Sequence, residues 1–354
     1  MPDWAKRLFS LLLIFITLSS VAVIWADSQL SKPLAISGAS ASLNLAPGTG
    51  FSSMSVQLKR AQLIDYSSTL LNIYARLAGK AGSIKAGEYA LRRGINSYEL
   101  LDLMISGDVI YYQITLVEGR TFKELLAHLA VQPELEQRYQ LELPLWKQLE
   151  IDSPLNPHPE GLFFPDTYSF VKGVSDLSIL KRAYRRMQLV LEQEWAKRVD
   201  ELPYQSAYEA LIMASIVERE TGQPDERERI AGVFVSRLQK NMRLQTDPTV
   251  IYGLREEEKH NLRSKHLLDD SNSYNTYRHK GLPPTPIAMP GLAAIHASLH
   301  PQQDGALYFV ARGDGSHYFS KTFEEHRRAV RDYQLSRRTG YHSSPRAPKP
   351  PQEQ

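Results

Sequence analysis

SAYEALIMASIVERETG, Ser206–Gly222, is the stretch from which the rest of the chain is read. Leu211–Val217 (LIMASIV) is apolar on nearly every side of a helix, so the helix is buried rather than laid on a surface. Ser206 and Glu209 have the capping-box spacing at its start, and Gly222 supplies a C-terminal stop. Then come Glu218, Arg219 and Glu220. Glu218 falls on the row of Leu211 and Ala214, which places its carboxyl on a core-facing stripe in the last turn. That is the wrong end of a helix for an anion. The helix dipole and partial burial both disfavour ionisation there, and a carboxyl with a raised pKa is what a general acid needs near neutral pH. From this helix alone, a surface carboxylate paired with Arg219 or another cation is the simpler reading.

Three segments could stand opposite Glu218. EGLFFPDTYSF, Glu160–Phe170, sets Phe163, Phe164, Tyr168 and Phe170 beside Asp166; the rings read as core or as flat platforms for sugars. QTDPTVIYG, Gln245–Gly253, offers Gln245 and Asp247, although Asp247 before Pro248 is also an ordinary helix N-cap. YNTYRHKGLPPTPIAMPG, Tyr274–Gly291, places four prolines behind Tyr274, Asn275, Thr276 and Tyr277, whose amide and hydroxyl groups can bond a polar polymer or order the loop itself. His296 and His300 are spaced like metal ligands, but Ala297 stands where an HExxH motif has its glutamate, and they read as core or surface histidines. No Walker, GxGxxG or GxSxG motif is present.

The chain has 354 residues, enough for about two folded units, and no cysteine, which excludes thiolate metal sites and cysteine nucleophiles. Its 42 Lys and Arg against 39 Asp and Glu leave a net charge of +3, too small and dispersed for a nucleic-acid binder. Leu8–Trp25 is uncharged and mostly apolar, long enough with its flanks to cross a bilayer core of roughly 30 Å. Lys6 and Arg7 before it put the N-terminus on the cytoplasmic side. A retained span is the reading; a signal peptide cut after Ala26 is the alternative, weakened by Ile24 at a position that favours small residues.

Residues 26–50, rich in Ser, Ala, Gly and Pro, read as a tether carrying one strand near Ser42–Leu45. Two helical patterns fill Phe51–Ala78. Two strand–helix units follow, Gly87–Gly107 with Ser97 as cap and Ile114–Leu129 with a Thr121/Glu124 capping box, a weak repeat that closes a small α/β module at about residue 130. Further on, Leu177–Arg198 reads as an amphipathic helix whose Lys181, Arg182, Arg185 and Arg186 face solvent or an anionic surface. A hairpin spans Leu307–Phe319, Thr322 and Glu325 cap a closing helix, and a disordered tail follows.

LVEGRTFKELL, EGLFFPDTYSF, ASIVERETG, LQTDPTVIYGL and YNTYRHKGLPPTPIAMPG, in this order behind one N-terminal span, resemble the endolytic murein transglycosylases of the bacterial inner membrane. The likeness covers roughly Gly48–Tyr333. It implies a LysM-like module (51–130) ahead of a mixed α/β catalytic domain (131–340); with the short cytoplasmic N-terminus (1–7), transmembrane helix (8–25), tether (26–50) and tail (341–354) read from the residues themselves, the chain is an α+β protein. It implies cleavage within nascent peptidoglycan strands, leaving 1,6-anhydro ends, an end to chain growth, and peptidoglycan synthases as partners. The family's catalytic glutamate falls on Glu218. Phe164, Asp166, Tyr168, Gln245, Asp247, Tyr274, Asn275, Thr276 and Tyr277 are the candidates for the glycan groove. No cofactor or metal is implied. Two rival readings stand beside it: a membrane-anchored glycan-binding scaffold, and a hydrolase that adds Asp247 or Glu160 to Glu218.

Overall fold

The computed structural model of the chain describes residues 2–335 apart from 37, 39, 47, 221 and 260. The expected tail (341–354), the last residues of the expected catalytic domain and Thr221 of ASIVERETG lie outside the described residues. The chain forms two compact units: Met1–Gln113 with Pro133–Glu136 and Ser169–Val174, and Ile114–Gln132 with Gln137–Tyr168 and Ser175–Gln354.

The first unit begins with α1 (Asp3–Leu30), whose apolar stretch is exposed along its whole length. Next come β1 (Ser40–Leu45), α2 (Phe51–Arg60), α3 (Ser68–Leu77), β2 (Gly87–Arg92) and α4 (Ser97–Ser106). β1 and β2 pair antiparallel, with Leu43 opposite Tyr89 and Leu45 opposite Gly87. Alternate residues of the pair, Leu43, Leu45, Tyr89 and Leu91, turn into a core completed by Met54 and Leu58 of α2, Leu71 of α3 and Leu100, Leu101 and Met104 of α4.

Residues 26–50 are not a free tether. α1 runs five residues past Trp25, Leu30 and Leu34 are buried in this core, and the Tyr98 hydroxyl donates to Asp27 Oδ1 at 2.8 Å. The apolar residues responsible are split between a helix end, an extended segment and a strand, so no single period reveals them. α4 is capped by Asn96, whose Oδ1 accepts from the N–H groups of Tyr98 and Glu99, and not by Ser97, which is buried with its hydroxyl against that of Tyr66.

β3 (Tyr111–Thr115) pairs with β4 (Thr167–Val171), whereas β2 pairs with β1, so the two strand–helix units do not stack as a repeat. The compact units divide at Gln113 and not near residue 130.

The second unit holds α5 (Phe122–Ala130), α6 (Leu145–Gln148), α7 (Asp176–Ala196), α8 (Ala207–Glu220), α9 (Arg227–Gln239), α10 (Asp247–Tyr252), α11 (Ser264–Leu267) and α12 (Leu292–Leu299). After them come β5 (Tyr308–Ala311), β6 (His317–Ser320) and α13 (Phe323–Val330). α8 lies at the centre: Ala210–Val217 are all buried, and α7, α9, α10 and α12 pack around it. Burial on every side is the structural counterpart of LIMASIV. The Thr121/Glu124 and Thr322/Glu325 boxes cap α5 and α13 with both reciprocal bonds formed. At α8, Ser206 Oγ accepts from Glu209 N–H, while the Glu209 carboxylate reaches one residue further back, to Gln205 N–H at 2.6 Å. Asp247 is the first residue of α10, and Thr246 occupies the N-cap position expected for it.

Candidate active site

Glu218 sits in the last turn of α8, its side chain only 7% exposed. What surrounds it follows from a single serine. Ser215, the one hydroxyl within LIMASIV, accepts the Ile287 N–H at 3.0 Å and so ties the proline-rich loop to α8. One helical step later, the loop's Gly291 donates its N–H to Glu218 Oε2 at 3.0 Å. A second segment, 116–121, lies beside the same loop: Gly119 N–H donates to Met289 O at 2.9 Å and Met289 N–H returns to Arg120 O at 2.8 Å. Arg219 donates to Gly119 O at 3.0 Å, closing the group.

Glu218 is thus no surface ion pair. Its nearest cation, Arg227 of α9, stands 3.9 Å from Oε1, an attraction without a hydrogen bond. Burial raises the Glu218 pKa above the ordinary carboxyl value, and nearby Glu118 adds to the rise. The Gly291 N–H, Arg227 and Arg219 oppose it without cancelling it. Glu118, Arg227 and Gly291 were not singled out from the sequence. One signal was available for Glu118: the Glu-Gly pair 118–119, repeated at 160–161.

The other expected site residues do not gather in one place. Phe164 and Tyr168 are buried, with the Arg186 and Arg182 guanidinium groups lying 5.7 and 5.5 Å from their ring centroids; neither ring is an open platform for a sugar. Those arginines face solvent, as expected, while lying over the two rings. Asp166 is exposed and bonds its own neighbour's N–H, at Thr167. Asn275 and Thr276 are buried in structural roles. Asn275 Nδ2 is within 3.2 Å of the His266, Leu267 and Asp269 carbonyls, while the Thr276 hydroxyl meets Thr246 N–H and the Thr249 hydroxyl.

Gln245, Asp247 and Tyr277 do come together. With Glu220, Arg237, Tyr308 and His326 they line a cavity of about 620 Å³, and the Tyr277 hydroxyl donates to Asp247 Oδ1 at 2.7 Å. Glu218 is not among its lining residues. Burial pushes Glu220 up to about 7 despite a bond from the Thr246 hydroxyl. Tyr274 lies apart from this cavity, its hydroxyl on Thr285 and its ring edge-on to Tyr252.

Glu160 is 3% exposed, with one oxygen accepting Phe122 N–H and the other the Tyr252 hydroxyl, both at 2.9 Å; burial pushes it up to about 7. Both its oxygens are engaged inside the core, by Phe122 and Tyr252 and not by any group bonded to Glu218. His296 and His300 lie with Glu194 in a group whose potential metal-binding atoms are within 4.8 Å of one another. Both rings are already hydrogen-bonded, His296 Nδ1 to Glu194 at 2.7 Å and His300 Nε2 to Lys197 O at 2.9 Å.

Residues 43–332 match the YceG-like family. The endolytic murein transglycosylase of Bacillus subtilis (strain 168) is 30% identical over 328 residues, 88% of this chain and 90% of that protein. That of Streptococcus pneumoniae serotype 2 is 28% identical over 325 residues, 81% of this chain and 57% of the longer relative. A solved structure of a YceG-like protein from Listeria monocytogenes matches with a TM-score of 0.51 at 30% identity, over 82% of this chain and 99% of that one.

Proposed function

Because the chain belongs to the YceG-like family, we propose that it is an endolytic murein transglycosylase in which Glu218 is both general acid and general base. The observation that carries this reading is the setting of Glu218: a carboxyl buried at a helix C-terminus, with a raised pKa, touching a backbone N–H and facing a cation too distant to bond. Burial favours the neutral acid before reaction. The Gly291 N–H and Arg227 favour the anion once the proton has left. A group that must give a proton and then take one needs both tendencies nearly balanced.

In the first step Glu218 protonates the oxygen leaving C1 of the muramic acid ring, and the glycosidic C–O bond breaks. In the second, the carboxylate takes the proton of that ring's C6 hydroxyl as its oxygen closes on C1. A 1,6-anhydro end forms, no water is consumed, and Glu218 is protonated again. A hydrolase needs a second carboxylate to serve its water or glycosyl intermediate. Asp247 lines the cavity with Glu220, and both Glu160 oxygens are engaged by Phe122 N–H and the Tyr252 hydroxyl, which supports the one-carboxylate reading.

In this reading, Gln245, Asp247 and Tyr277 hold part of the glycan or its substituents at their cavity, while Thr276 bonds Thr246 of its lining from behind. α1 anchors the protein by a single pass in the inner membrane with the remainder periplasmic. Residues 51–130 serve as the LysM-like module, cleavage ends strand growth, and synthases supply the nascent strands. Continuity of α1 through Ala26 to the buried Leu30 supports the anchor over a cleaved leader.

The test is Glu218→Gln, which keeps size and removes the acid. With uncrosslinked glycan strands as substrate, the folded variant loses release of anhydro-ended fragments, seen by mass spectrometry as products lacking one water. Release at the wild-type rate, or wild-type products carrying the added water of hydrolysis, refutes the mechanism.

A further inference from the structure

We infer that Glu118 is a positioning residue for this reaction, a solvent-facing carboxylate set against Gly291 so that its charge keeps the proton on Glu218 until substrate takes it. The inference rests on the reading of Glu218 as the acid and identifies the group that sets the pH range in which it works. Three features of geometry carry it.

First, Glu118 and Glu218 flank the same glycine. Gly291 N–H bonds Glu218 Oε2, and the Glu118 carboxylate fills the place a side chain at residue 291 would take, so that even a methyl group there overlaps it. Second, the segment that carries Glu118 is fixed from both sides: Leu116 N–H bonds Asp166 O at 3.0 Å, and Gly119 and Arg120 bridge to Met289. Third, among the described residues the Glu118 side chain has no hydrogen bond or ion pair of its own, so its placement is not explained by a bond it makes.

The charged groups facing Glu218 are Glu118 from segment 116–121, Arg219 from its own helix and Arg227 from α9. Two of these are cations, and Arg219 is drawn off onto Gly119 O. A like charge next to a carboxyl disfavours its ionised form, and Glu118 is the acidic group that does so here.

The experiment is the pH dependence of kcat for the full chain in detergent, acting on uncrosslinked glycan strands. Activity falls on the alkaline side as Glu218 loses its proton. In Glu118→Gln that limb moves to lower pH by about one unit, and kcat above the limb falls on the order of tenfold, because one pH unit is a tenfold change in the protonated fraction. KM changes less than twofold and the products keep their anhydro ends. Glu118→Asp, which keeps the charge, returns the limb toward the wild-type position. Higher ionic strength, by screening an exposed charge, moves the wild-type limb the same way as Glu118→Gln and provides the test should that variant fail to fold.

A Glu118→Gln limb that overlays the wild type, a rate reduced equally at every pH, or a wild-type limb insensitive to salt overturns the inference. Glu218→Gln separates the two failures. If it retains activity, the assignment of the acid is wrong whatever Glu118 does; if it is inactive while the Glu118 limb stays fixed, only the role of Glu118 falls.

Discussion

Glu160 makes folding stability depend on pH in a direction opposite to ordinary acid denaturation, and Glu160→Gln exposes the effect. In the folded chain its carboxyl is enclosed by Phe122 N–H, the Tyr252 hydroxyl and surrounding core, and burial raises it from 4.5 to about 7. The folded state therefore holds a proton that the unfolded chain releases above pH 4.5. Stability from this group is fully present below that value, declines as pH rises toward 7 and is lost above it. At ~1.4 kcal/mol per pH unit the interval corresponds to about 3 kcal/mol, an upper figure because the unfolded chain is not fully solvated.

A glutamine side chain in its place cannot ionise, so the variant escapes this loss. The measurement is urea denaturation followed by the fluorescence of Trp146 and Trp195, both in the second unit, from pH 4.5 to 8. Glu220 is pushed in the same direction by burial and slopes both curves, so the quantity to read is the difference between variant and wild type. That difference moves in favour of the variant by about 2–3 kcal/mol between pH 4.5 and 7.5. Curves that stay parallel across this range refute the reasoning and mean that Glu160 ionises freely in the folded protein.

Two further outcomes test the packing. Gly232→Ala, in α9, drives a methyl group into the Gln302 backbone, which is held there by Gln302 N–H on Glu228 O at 2.8 Å; a loss of about 2–4 kcal/mol, or an insoluble protein, is the expected result of chemical denaturation. Asn275→Ala strips the amide donor from the carbonyls of His266, Leu267 and Asp269. It costs about 2–4 kcal/mol in the same assay, where a surface loop residue would cost under ~0.5.

Much of the fold was legible because its signals are local. An apolar run without a polar face had to be enclosed, and α8 is; Thr121 with Glu124 and Thr322 with Glu325 name their helix starts through bonds three residues apart. Glu218 was legible for the same reason, since its depth and its helix end are both properties of one helix. What failed to show was non-local. The Gly291 N–H that meets Glu218 is 73 residues away, and Glu118 comes from a segment further still along the chain, so neither leaves a mark in any periodic pattern. Phe164 and Tyr168 were ambiguous because composition reports how aromatic a stretch is and not which faces are covered; Arg182 and Arg186 of α7 cover them. Asn275 and Thr276 look like ligand-binding side chains for the same reason that they order a loop, namely that amides and hydroxyls bond whatever carbonyl or N–H is nearest.

The unbroken passage of α1 into the first unit carries a consequence for range of action. A helix of 28 residues is about 42 Å long, and a bilayer core takes up roughly 30 Å, so little more than two turns remain before Leu30 is locked into packed side chains. With α1 inserted, the first unit is moored at a stand-off of some 10 Å, like a float on a rigid stem and not a kite on a string.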